Sequence, residues 1–292
     1  MVDLLNIILP TFFVIFIGYL LGKIAKINIS AMVDVIFYVG LPALAFVSMV
    51  DKKIVLLDAT KIWASALIIA FGCGIVAWFV FKIIGQKHSG LYIPISIMNT
   101  VNIPFPIIYL VYGSEGLFAA TLFYMPIVLL MFSLGVYIAS GKHWKEGIKE
   151  VFRVPTIYAA VAGLMVNLLN VAVPELVLEP LNFISMMVIP LVLLILGCNL
   201  SVVKITSLPT TFLASFLRLG VGLLFGLLAV KLFNLTGVLR SVVILDSAMP
   251  SAVNTSLLAT KYKNESDVVS SVVFVTTIVS LVTIPLLLHL LS

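Results

Sequence analysis

Ten predominantly apolar runs, joined by short polar links, fill this sequence almost end to end. A hydrocarbon core ~30 Å thick is crossed by about 20 helical residues. The runs therefore predict membrane-spanning helices over residues 4–24, 31–50, 62–84, 91–111, 116–139, 154–173, 180–200, 209–233, 237–260 and 268–291. They are apolar on every face and lack the alternation of a barrel strand, so an all-α membrane protein is expected. Of 292 residues, 62% are hydrophobic and only 10% charged, too few charges to wet a soluble globule. Soluble enzymes and nucleic-acid binders are excluded, and the net charge of +5 is read as a topology signal.

The links are short, which predicts one compact bundle without an appended soluble domain. The start, MVDLLNIILP, has no basic region, and its apolar run continues without a small-residue cleavage site. It is read as the first retained helix. Cys73 and Cys198 lie in apolar runs, and His88, His143 and His289 lie in loops or at the terminus, so neither a disulfide framework nor a metal site is expected.

Lys and Arg set the orientation. With the N-terminus outside, the inner loops hold eleven: Lys23, Lys26, Lys82, Lys87, Lys142, Lys145, Lys149, Arg153, Lys204, Lys261 and Lys263. The outer loops hold five: Lys52, Lys53, Lys61, Lys231 and Arg240. Both termini of a plasma-membrane protein are then outside, with residues 140–153 as a cytoplasmic linker. At helical spacing that linker puts Trp144, Ile148 and Val151 on one side, flanked by Lys142, Lys145 and Lys149. Two readings stand: an amphipathic segment against anionic membrane lipids, or a solvated link.

Landmarks recur between the two halves. Pro10-Thr11 matches Pro155-Thr156, Pro42 matches Pro190, and the Tyr112–Glu115 turn matches Tyr262–Glu265. Each half (1–139 and 154–292) holds five spans, an odd number, so the second copy inserts upside down. Inverted repeats are a building principle of secondary transporters.

The fourth and ninth spans occupy equivalent places and are both broken. The fourth carries Asn99, Thr100 and Asn102 among Pro94, Pro104 and Pro106. The ninth sets Pro250 amid Asp246, Ser247, Ser251, Asn254, Thr255 and Ser256. Proline interrupts the helix, and the freed backbone groups are tolerated in a bilayer only inside protein or beside a water-filled cavity. A shared central site follows, where half-helix N-termini and the amides of Asn99, Asn102 and Asn254 favour an anion. The competing reading is proline kinks with polar residues joining helices.

Two intramembrane charges stand out. Asp246 is expected to carry a proton or hold Na⁺, or else to be paired with a base such as Arg218. Arg218, deep in the eighth span, either neutralises Asp246 or attracts an anionic substrate. Asp34 lies near an interface. The glycines of FGCG and GLLFG are read as helix-packing positions. No triad, Walker or zinc-protease pattern supports an intramembrane enzyme.

The set Gly40–Phe46 (GLPALAF), Asn99–Pro106 (NTVNIPFP), Tyr112–Gly116 (YGSEG) and Ala248–Tyr262 (AMPSAVNTSLLATKY) resembles the auxin efflux carrier family over the whole chain. That family includes plant auxin carriers and prokaryotic permeases assigned to malate or malonate. The resemblance implies ten helices in two inverted repeats of the bile-acid:sodium symporter type. Helices four and nine cross at prolines in a mobile transport domain, and helices one, two, six and seven form a scaffold. Carried over, the crossing prolines are Pro104 and Pro250, with Asn102 and Asn254 close to substrate. Asp246 falls near an acidic ion ligand of sodium-coupled relatives, which is Glu there. A homodimer through scaffold helices is a further implication.

The expected function is a secondary transporter that moves a small organic anion (a mono- or dicarboxylate, or an auxin-like acid) by elevator-type alternating access. Its substrate-binding residues are Asn99, Thr100, Asn102, Pro104, Pro250, Ser251 and Asn254. Asp246 is the candidate coupling position for H⁺ or Na⁺ with Arg218 as charge partner, or is structural if the protein, like the plant-type carriers it resembles, works without ion coupling; no cofactor is expected. The alternatives are a membrane-embedded sensor or receptor, which the short loops disfavour, and an anion channel.

Overall fold

The computed structural model describes residues 4–50, 56–141, 149–203 and 205–291, with side chains from Leu9 onward. Lys142, Trp144, Lys145 and Ile148 of the central linker lie outside the described residues, as do Lys52, Lys53 and Lys204.

All regular structure among the described residues is helical. The elements are α1 (Leu4–Leu20), α2 (Ser30–Val50), α3 (Leu56–Ile83), α4 (Tyr92–Ser96), α5 (Pro104–Ser140) and α6 (Pro155–Leu168). There follow α7 (Glu175–Leu200), α8 (Leu208–Phe233), α9 (Gly237–Ser247), α10 (Val253–Tyr262) and α11 (Ser266–Leu291). Among the described residues, six of these, α2, α3, α5, α7, α8 and α11, are long and apolar enough to cross a membrane. The helices sit where the apolar runs fall, but α3 and α7 begin five or six residues early. Asp58 and Glu175 lie in the first turns there, with Lys61 and Glu179 just beyond, a polar start that hydropathy assigns to loops and an acidic helix start favours.

Local chemistry sets the punctuation. Pro104 and Pro155 open α5 and α6, where a missing N–H costs nothing. Inside α5, Gly113 takes φ 62° and ψ −149°, a conformation that excludes side chains and kinks the helix into two arms. The second half of the fourth apolar run and the whole of the fifth are thus two arms of one element.

Two helix groups emerge from the packing. In the first, α1 lies along α7, and α2 along α6 and the start of α7. In the second, α3 packs on α4, α5, α8 and α9, while α11 packs on α8 and α10. The groups touch where α5 meets α1 and α2, and where α1 meets α11. The α1–α7 contact is close because Gly18 and Gly197 face each other's helix: a Cβ on Gly197 would strike Ile15 O. The glycines of the third and eighth spans act likewise, Gly72 lying against the Phe225 ring and Gly226 against Ser247.

Candidate functional site

The two interrupted spans meet at their breaks. Residues 97–103, between α4 and α5, and residues 248–252, between α9 and α10, both leave the helical conformation. Met98 and Ser251 oppose each other as an isolated antiparallel bridge. Asn99 N donates to Pro250 O at 2.7 Å and Ala252 N donates to Ile97 O at 3.0 Å. Ser251 N donates to Thr276 Oγ1 at 3.1 Å, and Ser251 Oγ to Pro94 O at 2.7 Å. Backbone groups freed by the prolines are thus satisfied within the protein, as a membrane interior demands.

Around this crossing lies a cavity of ≈110 Å³ that brings together Asn99, Thr100, Asn102 and Asn254. Pro104, Pro250 and Ser251 are buried behind its wall rather than lining it. The Ser251 hydroxyl is committed to Pro94, so its expected role toward substrate becomes one of holding the two breaks together. The opposite walls are apolar and aromatic, from Ile36 and Phe37 of α2, Tyr124 and Phe132 of α5, and Ile195 of α7. Asn199, near the end of α7, also lines the cavity. It was not singled out from the sequence, although an amide inside the apolar LILGCNL run was the available signal.

Asn99 has a defined orientation. Its Oδ1 accepts from Asn102 N at 2.9 Å and Val101 N at 3.3 Å, an Asx turn leading into α5. Its Nδ2 is buried without a hydrogen-bond partner among the described residues. With Oδ1 committed, the free polar group of this cavity-lining residue is a donor (two N–H groups). On the other side α10 starts at Val253 without a side-chain cap, which leaves its positive end toward the cavity lined by Ala252, Val253 and Asn254. Donors and a helix N-terminus converge, an arrangement that suits an anion.

Asp246 and Arg218 are both fully buried, yet they form no ion pair. Neither Asp246 oxygen has a hydrogen-bond partner among the described residues. Arg218 instead donates to two carbonyls, through Nη1 to Ile95 O at 3.0 Å and through Nη2 to Ser247 O at 2.6 Å. The expected charge partnership is therefore replaced by carbonyl contacts. The α4 and α9 C-termini supply partial negative charge where a carboxylate was expected. Asp34 is exposed near the start of α2.

A second cavity of ≈370 Å³ adjoins the first, sharing Asn199, Val253 and Leu257, and extends past Thr260 to Thr206 and Asp267. A third, of ≈570 Å³, lies between α1, α2, α7 and the part of α5 around its Gly113 kink and shares no lining residue with the crossing cavity.

A helical membrane protein whose broken helices cross beside a cavity of asparagine amides and apolar walls has the build of a membrane transporter. Residues 142–288, half of the chain, match the membrane transport protein family, and the chain belongs to that family, with which the auxin efflux carrier resemblance agrees. An uncharacterized transporter of Methanocaldococcus jannaschii is 24% identical over 299 residues, covering 97% of each chain. One of Methanothermobacter thermautotrophicus is 27% identical over 289 residues, covering 96% of this chain and 95% of its own.

Proposed function

We propose that this multi-pass membrane protein carries a small organic anion across the plasma membrane by alternating access, and that its substrate is a monocarboxylate with an apolar body. The observation that carries the reading is the Asn99 side chain. Its acceptor is spent on the amides of Val101 and Asn102 just before α5, and its donor is buried at the crossing without a partner among the described residues. A buried donor without an acceptor is costly, and a carboxylate entering the cavity removes that cost.

The choice of monocarboxylate rests on the remaining walls. No Lys, Arg or His is among the residues described as lining the cavity. A second carboxylate would lie unpaired against Ile36, Phe37 and Phe132, whereas an apolar body fits there. Asn99, Asn102 and Asn254 bind the anion in this reading, and Asp246 is the coupling position for H⁺ or Na⁺.

Movement follows from the helix groups. The group α3–α5 with α8–α11 carries both breaks and slides against α1, α2, α6 and α7 as an elevator. The breaks lie at matching places in the two halves, and both Tyr-x-x-Glu turns contain positive φ, at Gly113 and at Lys263 and Glu265. That correspondence supports ten membrane segments in two inverted repeats joined by residues 140–153. The second cavity runs toward the C-terminal end of α10, where Lys261 and, just past the helix, Lys263 lie, the cytoplasmic side by the distribution of basic residues. The conformation is read as inward-facing, with both termini outside.

The test is a thermal-shift screen of purified protein against mono- and dicarboxylates, with and without Na⁺ and across pH, followed by counterflow in proteoliposomes. A ligand of the folded state raises the melting temperature by mass action. Saturable counterflow of an apolar monocarboxylate such as benzoate, with malonate inactive, is the expected result. Binding without counterflow would make the protein a receptor, non-saturating flux a channel, and malonate outcompeting every monocarboxylate would overturn the substrate class.

A further inference from the structure

Arg218 is fully buried in the eighth apolar span, on a π-helical turn (Leu217–Val221) that interrupts the regular hydrogen-bonding of α8. An arginine stays charged in a protein interior and demands acceptors. Among the described residues no carboxylate lies within ion-pair reach of it. Its two terminal nitrogens reach different helices: Nη1 the carbonyl of Ile95, near the end of α4, and Nη2 that of Ser247, the last residue of α9. These are the two half-helices that stop at the crossing, and their last carbonyls have no next turn to accept from.

We propose that Arg218 is the positioning residue of the crossing, a fork that caps both interrupted half-helices and holds the two breaks as one rigid body. The planar guanidinium suits this task, since it offers separate donors at a fixed spacing, whereas an ammonium is a single point of contact. The bridge between Asn99 and Pro250 ties the breaks together and Arg218 ties the helix ends that lead into them. Space for the fork comes from Gly222, one turn further along α8: a Cβ there would strike Nη2. Arg218 thereby fixes the direction in which Asn99 and the α10 N-terminus face the cavity, and it does not line that cavity itself.

The test needs no substrate, so its outcome is independent of the proposed transport function. Hydrogen exchange by mass spectrometry is followed in the full-length protein in nanodiscs for peptides covering residues 97–102 and 248–254. Peptides from α1, α2, α6 and α7 serve as internal controls. Exchange in R218M is expected to rise at least tenfold in the two crossing peptides and to stay unchanged in the controls. R218K, which keeps the charge but reaches one carbonyl, restores part of the protection. Gly222→Ala, whose Cβ would meet both Nη2 and the Ser247 carbonyl that it bonds, keeps the arginine but breaks this contact and reproduces the R218M pattern. Unchanged protection at the crossing in folded R218M would overturn the proposal. So would exchange that rises equally in all helices, the mark of a general stability role. If R218M fails to fold, intact crossing protection in Gly222→Ala overturns it by the same measure.

Discussion

The backbone N–H of Asn99 donates to the carbonyl oxygen of Pro250 across 2.7 Å. This hydrogen bond joins the break in one half of the chain to the break in the other. The polar interruption of α4 and α5 and that of α9 and α10 are therefore one structure inside the membrane. A disturbance on either side is felt at the same cavity.

Asn99→Asp is expected to keep the Oδ1 acceptor that organises the start of α5 while turning the free donor into an acceptor and adding negative charge. Anion affinity should fall by about a hundredfold or more, since a hydrogen bond to a charged group is worth roughly 1.5–3 kcal/mol before repulsion is added. Titration calorimetry with a ligand from the thermal-shift screen reads the change. Equal affinity in the two proteins would remove Asn99 from the site.

Asn199 belongs to α7, whereas Asn99 and Asn254 belong to the group that carries the breaks. If the two groups slide past each other, Asn199 meets substrate in one orientation only. Asn199→Leu should raise KM about tenfold or more from the cytoplasmic side, the order expected for one lost hydrogen bond to an anion, and leave the outer KM unchanged. Sided uptake in oriented proteoliposomes distinguishes this from a symmetric effect, which would argue for a site that does not alternate.

Asp246 is fully buried and neither carboxyl oxygen has a hydrogen-bond partner among the described residues. Asp246→Asn preserves the shape and removes the capacity to gain a proton or balance Na⁺. Stimulation of uptake by an imposed proton or Na⁺ gradient should disappear while counterflow without a gradient continues. Stimulation that survives places coupling elsewhere.

Glu265 fastens the loop before α4 to the turn after α10: His88 Nδ1 lies 2.6 Å from its Oε1, and Gly90 N donates to its Oε2 at 2.7 Å. The pair is partly exposed, with 21% and 27% of the His88 and Glu265 side chains accessible, so solvent screens it. Glu265→Ala should cost roughly 1 kcal/mol. The loss should show as faster exchange confined to residues 86–92, and unchanged exchange there would mean that the contact holds nothing.

Gly197→Val would drive a side chain into the backbone of α1 at Ile15 O. The α1–α7 contact should open, and the purified protein should lose its single peak in size-exclusion chromatography. The overpacking cost is about 1–3 kcal/mol or more, because neither backbone can yield. A stable, monodisperse variant would show that this crossing is not closely packed.

Much of this was legible in the sequence, because membrane solvation is severe. Residues 31–50 or 268–291 cannot be stable in a bilayer except as helix, and Pro104 and Pro250 cannot continue one. The boundaries of α3 and α7 were less legible, since their polar first turns lie beyond the apolar stretch. Among the cavity residues, Asn99, Thr100, Asn102 and Asn254 were readable as polar groups beside helix-breaking prolines. Asn199 stood alone in an apolar run, with no neighbouring break to mark it.

The sequence by itself determined that the chain lies in a membrane as helices and where two of them must stop. Lipid offers no hydrogen bonds, so each local pattern has one solution there. Which freed group meets which partner was decided by the tertiary structure alone. Arg218 reached Ile95 and Ser247 instead of Asp246, and the Ser251 hydroxyl turned to Pro94 instead of the cavity. Those choices depend on distances between helices remote in the chain, and no local spacing encodes them.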